Sequence, residues 1–182
     1  RRFLASFPFD ESPWLELTMV TNAALVDERV IASLGRIARS NVVVSLNAAT
    51  PGTYRRVNRG LPLARIRPRL ELLLAAFASG RLRGAFIYSM VLLRANHREL
   101  GEFCRLAERD GAGVRLMLPY HDRLGESTMT DRRVMETCLA ELEAVMRGRC
   151  GRGWWENWIR DVLFAAKLLR RRLDEGLEEA LP

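Results

Sequence analysis

Lysine is all but missing from this chain. Of 29 basic residues in 182, only Lys167 is a lysine, and the arginines are spread over every segment. A formal net charge of +7 would ordinarily invite a nucleic-acid reading. The densest clusters, Arg65/Arg67/Arg69 and Arg170-Arg171-Arg172, lack the interleaved aromatics on which a single-strand binder stacks bases. A GC-rich coding sequence explains the skew more simply, so nucleic acid is not an expected partner. Cysteine is scarce too. Cys104, Cys138 and Cys150 are odd in number and far apart, which excludes a disulfide framework and paired zinc ligands. The expected compartment is a reducing cytoplasm. No apolar run approaches the roughly 18 residues of a membrane span, so no membrane partner is expected. Arg1 to Pro8 is not a signal peptide either, because Pro8 and Asp10 interrupt its apolar stretch. With no initiating Met, the chain is expected to begin inside a longer gene product.

What is present is ordinary for a folded domain: 48% hydrophobic and 28% charged residues, enough at this length for one core. A β-prone run followed by a helical pattern occurs four times. Leu15 to Thr21 reads as a strand, with Leu15, Leu17 and Met19 alternating. Asp27 caps the helix after it, whose stripe is Val30, Ile31, Leu34, Ile37 and Ala38. Asn41 to Leu46 is a continuous apolar run of the kind buried on both faces. A loop containing Pro51-Gly52 follows, and then a helix opened by Pro68 and closed by Gly80, with Leu70, Leu73, Leu74 and Phe77 inward. Ala85 to Leu93 is the third strand. Asn96 and Glu99 form a capping-box pattern before the stripe Leu100, Phe103, Cys104 and Ala107, ended by Gly111. The fourth strand, Val114 to Leu118, stops at Pro119. A helix follows from about Asp131 to Arg147 with Val134, Met135, Cys138, Leu142 and Val145 on one side. Cys104 and Cys138 thus read as core residues.

This alternation predicts an α/β fold with a parallel sheet: four parallel strands with outer helices, as a partial (β/α) TIM-like barrel over residues 1–147. Residues 148–182 read as a linker with Cys150, Gly151 and Gly153, then a C-terminal helix striped by Trp158, Val162, Ala166, Leu169 and Leu173. Ligand sites in such folds lie at the C-terminal ends of the strands. Those ends carry Thr21-Asn22, Ser45-Leu46-Asn47, Arg94-Ala95-Asn96 and Tyr120-His121-Asp122-Arg123. His121 with Asp122 could position or deprotonate a substrate; the competing reading is a solvated loop with Asp122 paired to Arg123. His97, in a first helical turn, is expected at the surface.

At these strand ends the chain resembles a known family. Ser45-Leu46-Asn47-Ala48-Ala49-Thr50-Pro51-Gly52-Thr53-Tyr54 is similar to the "S-L-D-A-A-T-P-E-T-Y" after the fourth strand of radical S-adenosylmethionine (SAM) domains. Val20-Thr21-Asn22-Ala23-Ala24-Leu25 resembles the "T-N-G-x-L" ending their third strand. Val91 to Leu100 resembles the "V-x-x-x-N-x-x-E-L" closing their fifth. The three stand in the family's order and span roughly residues 15 to 120. Two positions depart from the pattern. Asn47 replaces Asp, and Ala23 replaces Gly, which is tolerable if that residue keeps φ below zero.

The resemblance implies that Ser45 and Asn47 sit near the SAM ribose and that Thr21 and Asn22 line its pocket. It brings Arg94 or Asn96 toward the methionyl carboxylate, although Asn96 reads equally well as a plain N-cap. Met117, with Leu116 and Leu118, would flank the adenine. The family's cluster motif "C-x-x-x-C-x-x-C" and its "G-G-E" are absent from the chain, and three scattered cysteines cannot imitate the compact triad. The implied [4Fe–4S] cluster therefore belongs to a full-length parent that acts on a small-molecule or peptide substrate through a 5′-deoxyadenosyl radical. No metal ligand is expected in this chain, which alone is expected to be inactive. The rival reading is a non-catalytic, cluster-less barrel remnant that binds a partner or oligomerises through exposed strand edges. A third, an unrelated β/α enzyme using His121 and Asp122 as acid and base or as metal ligands, has only two candidate ligands.

Overall fold

The computed structural model of the protein describes residues 8–9, 14–58, 60–119, 131–147 and 156–176; no side chain is described at 146, 156–162, 165 and 172. β1 (Glu16–Thr21), β2 (Arg39–Ser45), β3 (Phe86–Val91) and β4 (Gly113–Met117) form one sheet in the order β1-β2-β3-β4, every pairing parallel. The strands lie within a residue or two of where hydrophobic patterning places them. In β2 the consecutive valines 42, 43 and 44 are stiff at χ1 and suit a pleated, doubly covered strand; all three are buried. β1 instead alternates. Leu17 and Met19 pack on the core while Glu16, Thr18 and Val20 are exposed, as suits an edge strand.

The helices are α1 (Glu28–Gly35), α2 (Pro51–Val57), α3 (Leu63–Ala78), α4 (Leu100–Arg109), α5 (Arg132–Arg147) and α6 (Glu156–Asp174), with a 3₁₀ turn at His97–Glu99 leading into α4. Asp27 caps α1 as expected, its carboxylate accepting from the Val30 amide at 3.0 Å. Gly80 closes α3 from the left-handed region at φ 73°, where glycine carries no Cβ penalty.

Three local expectations are corrected. The Pro51-Gly52 segment is not a loop but the first turn of α2, because Pro51 stands at a first-turn position that needs no N–H and Thr50 caps the helix ahead of it. Pro68 does not open α3. It lies inside the helix, which begins five residues earlier at Leu63. An interior proline forfeits the bond to the Ala64 carbonyl and costs about 3 kcal/mol. Starting at Pro68 would leave Ile66 outside the helix, and Ile66 is only 1% exposed, a burial worth roughly 1.5–3 kcal/mol. Nor is His97 at the surface: it is 6% exposed, because the 3₁₀ turn packs against α5.

Strands taken in chain order and joined by right-handed crossovers place their connecting helices on one face. The core shows this. Val42, Val44, Phe86, Tyr88, Met90, Val114 and Leu116 share one cluster with Ile31 and Leu34 of α1, Leu73 of α3, Phe103 and Cys104 of α4, and Cys138 and Leu142 of α5. Cys104 and Cys138 are thus core residues, as the apolar stripes predict. Helix α6 packs on α5 and β4 through Ala166 and Leu169; the side chains of Trp158 and Val162 lie outside the described residues. Among the described residues no helix is long and apolar enough to cross a membrane.

Candidate functional site

The C-terminal ends of β2 and β3 are laced together by three asparagines. Asn47 follows β2 at φ 60°, a conformation that asparagine tolerates better than most residues. Its Oδ1 accepts from the Val91 amide at 3.0 Å, and its Nδ2 donates to Asn58 Oδ1 at 3.3 Å. Asn58 in turn donates to the Leu46 carbonyl at 3.0 Å. Asn96 is 1% exposed. Its Nδ2 donates to the carbonyls of Asn47 and Val91, both at 2.8 Å, and its Oδ1 accepts from the Leu93 amide at 2.7 Å. These bonds fix the rim backbone, since a buried peptide group left unpaired would cost more than the side chain gains elsewhere.

The same rim resolves what Glu99 does. The expected capping box is not formed: Asn96 makes no side-chain cap bond, and its amide goes to the Leu93 carbonyl. Glu99 reaches across to α2 instead. Its Oε2 accepts from the amides of Ala49 and Thr50 at 2.9 and 3.2 Å, and its Oε1 from the Thr50 hydroxyl at 2.5 Å. Thr50 is the N-cap of α2 and accepts from the Thr53 amide at 3.3 Å. Burial works to raise the Glu99 pKa, but the Thr50 hydroxyl, the nearby Thr53 hydroxyl and the two amides together outweigh it. The carboxyl is held below its ordinary value.

Beside this network lies an open groove of about 370 Å³ lined by Arg56, Arg94 and Arg98 together with His97 and Glu99. Arg56 donates to Thr53 Oγ1 at 2.8 Å, and Arg94 pairs with Asp131 at 3.0 Å. The His97 ring sits 2.9 Å from the Arg94 carbonyl through Nδ1.

The other rim residues sort by whether their polar atoms are engaged. Thr21 Oγ1 accepts from the Ala23 amide at 3.0 Å, and Asn22 Oδ1 from the Ala24 amide at 3.1 Å, so both side chains brace the turn after β1. That turn puts Ala23 at φ 62°, so the condition under which alanine replaces glycine without strain is not met, and its methyl is fully buried. Ser45 has no side-chain partner among the described residues. Met117 is half-buried at the end of β4. His121 and Asp122, with Tyr120 and Arg123, lie outside the described residues. Sequence reasoning missed Asn58, which no local signal marks, and read Glu99 correctly as a helix-capping acid but for the wrong helix.

The described cysteines do not fit cluster ligation. Cys104 and Cys138 are enclosed in the core, and burial, followed by the nearby Glu141 charge, pushes the Cys138 thiol up to about 12. Among the described residues no three His, Cys, Asp or Glu side chains converge as a metal site. Compared with protein-family models, curated proteins and solved structures, the chain gives no match in any of the three.

Proposed function

We propose that this chain supplies the SAM-pocket and substrate-facing wall of a radical SAM enzyme, as consecutive β/α units of a TIM-like barrel, and is inactive by itself. The observation that carries the reading is the joining of two segments that resemble the family. Glu99 of Asn96-His97-Arg98-Glu99-Leu100 binds the amides of Ala49 and Thr50, and Asn96 binds the Asn47 carbonyl. Two stretches about fifty residues apart thus depend on each other physically, which is a reason for both to occur together. The consecutive strand order also suits a barrel wall better than a doubly wound sheet, where the order reverses.

On this reading Ser45, with its unengaged hydroxyl, faces the SAM ribose. Thr21, Asn22, Asn47 and Asn96 shape the pocket by fixing its backbone. Arg94, paired with Asp131, would hold the carboxylate, and Met117 would flank the adenine. SAM, if bound here, would supply radical chemistry once reduced by a cluster, whose ligands would come from outside these residues. Sequencing the DNA upstream of the Arg1 codon tests the idea. An in-frame "C-x-x-x-C-x-x-C" followed by "G-G-E" supports it, and a start codon adjoining Arg1 refutes it.

A second reading, a cluster-less remnant that binds a partner, is favoured by one observation. Trp14, Val20 and Leu25, on and around edge strand β1, are 78%, 63% and 69% exposed. It predicts self-association by light scattering; a monodisperse monomer counts against it.

A further inference from the structure

One register row of the sheet carries Ser45 on β2, Ser89 on β3 and Arg115 on β4, each the direct lateral neighbour of the next. Side chains alternate across a strand, and the flanking residues Val44, Tyr88, Met90, Val114 and Leu116 belong to the helix-packed core. The row therefore projects from the opposite face. Adjacent strands lie about 4.8 Å apart, so one small ligand can span all three side chains.

None of the three is engaged. Ser89 is 1% exposed, and among the described residues its Oγ is the buried side-chain polar atom left without a hydrogen-bond partner. Leaving such a group unpaired is destabilising, and a ligand acceptor would relieve it. Ser45 is half-buried and Arg115 exposed; neither side chain has a hydrogen-bond or ion-pair partner among the described residues. The rows on either side are apolar. Val43 and Ile87 adjoin it below, next to Gly113, and Val91 and Met117 adjoin it above. No carboxylate in these rows competes for the guanidinium.

We propose that Arg115, Ser89 and Ser45 form an oxyanion site that takes the carboxylate or phosphate of a small molecule with an apolar body. The donor set decides the charge of the ligand. A guanidinium only donates, and in a fork that matches two oxygens, while both hydroxyls are free to donate. Val91 and Met117, both half-buried, give the body its contact. The site shares Ser45 and Met117 with the proposed SAM pocket, but its argument rests on the sheet register and the unpaired side chains alone. Finding or missing a cluster motif upstream leaves it untouched, and its own failure leaves that reading to the DNA test.

The test is titration of the 182-residue chain with inorganic phosphate and, separately, with hexanoate, followed by calorimetry and by amide NMR shifts in β2, β3 and β4. Saturable binding of either is expected, and the better one identifies the headgroup. Arg115→Gln should weaken it at least tenfold. Ser89→Ala should weaken it several-fold without lowering the Tm, since it removes a hydroxyl that has no partner in the free protein. Arg65→Gln, on α3, controls for bulk charge and should leave affinity unchanged. Absence of saturable binding by both probes overturns the proposal. So does wild-type affinity in both Arg115→Gln and Ser89→Ala, or equal weakening by Arg65→Gln and Arg115→Gln.

Discussion

Replacing Glu99 should unpin the rim, and by a predictable amount. The carboxylate accepts two amides and one hydroxyl at the start of α2. Hydrogen bonds to a charged acceptor contribute roughly 1.5–3 kcal/mol each, but they are not additive within one network. The site is only partly buried, so water recovers some of the loss. Glu99→Ala should therefore cost about 3 kcal/mol. Glu99→Gln, which keeps one acceptor oxygen and loses the charge, should cost about 1–2 kcal/mol. The pH dependence has a definite sign. A carboxyl whose folded pKa is depressed gives its full stabilisation above the unfolded value of about 4.3 and loses it as pH falls through the folded value. Urea unfolding followed by far-UV circular dichroism, at neutral pH and in steps below about pH 5, reads both effects. Wild type should lose its advantage over Glu99→Gln as the pH drops. A Glu99→Ala cost under about 0.5 kcal/mol, or parallel pH profiles, would refute the assignment of Glu99 as the clamp of α2.

Three further changes probe the backbone and the core. At Ala23, φ 62° strains an L-residue by about 1–2 kcal/mol, but Ala23→Gly also frees the unfolded chain and deletes a buried methyl. That variant should fall within about 1 kcal/mol of wild type in urea melts, whereas Ala23→Val should lose about 3 kcal/mol or more. Gly84→Ala should be severely destabilising by the same assay, because a Cβ there would stand 2.6 Å from the Ser40 carbonyl oxygen at φ 134°. In a Cys150→Ser background, iodoacetamide at pH 8 should leave the native chain unmodified and label it only in denaturant, since Cys104 and Cys138 are enclosed; rapid native labelling would contradict their burial.

The parts of the fold legible in the sequence are those whose cause is local. The Val42-Val43-Val44 run, the Leu100/Phe103/Cys104/Ala107 stripe and the Asp27 cap each follow from residues within a turn or two, and each forms as read. The misreadings share another cause. Pro51 and Pro68 carry the same signal, yet one begins a helix and the other lies inside one; burial of Ile66 decides the second case, and it is a tertiary fact. Glu99 carries a helix-capping signal that does not say which helix, and its partners lie about fifty residues away. Ser89 was hidden by its surroundings, a polar residue in an apolar strand whose significance appears only when β2 and β4 are laid beside it.

That difference bears on where a ligand can be held. Polar residues at the exposed end of a parallel sheet invite assignment as ligand contacts, but here most are already engaged. Thr21 and Asn22 brace a turn, Asn47 and Asn96 hold backbone groups, and Arg94 is paired with Asp131. Recruiting Asn96 would free a buried amide and two carbonyls, a loss of several kcal/mol that one ligand bond does not offset. Ser45, Ser89 and Arg115 carry no such penalty, because their donors are unspent. They lie two residues below Asn47 and Val91 along their strands, on the face away from the helices. On the proposal above, the engaged rim residues act chiefly as scaffolding, and the Ser45/Ser89/Arg115 row beneath them holds the anion. Conservative changes at the rim should act through stability, and changes at Ser89 and Arg115 through affinity.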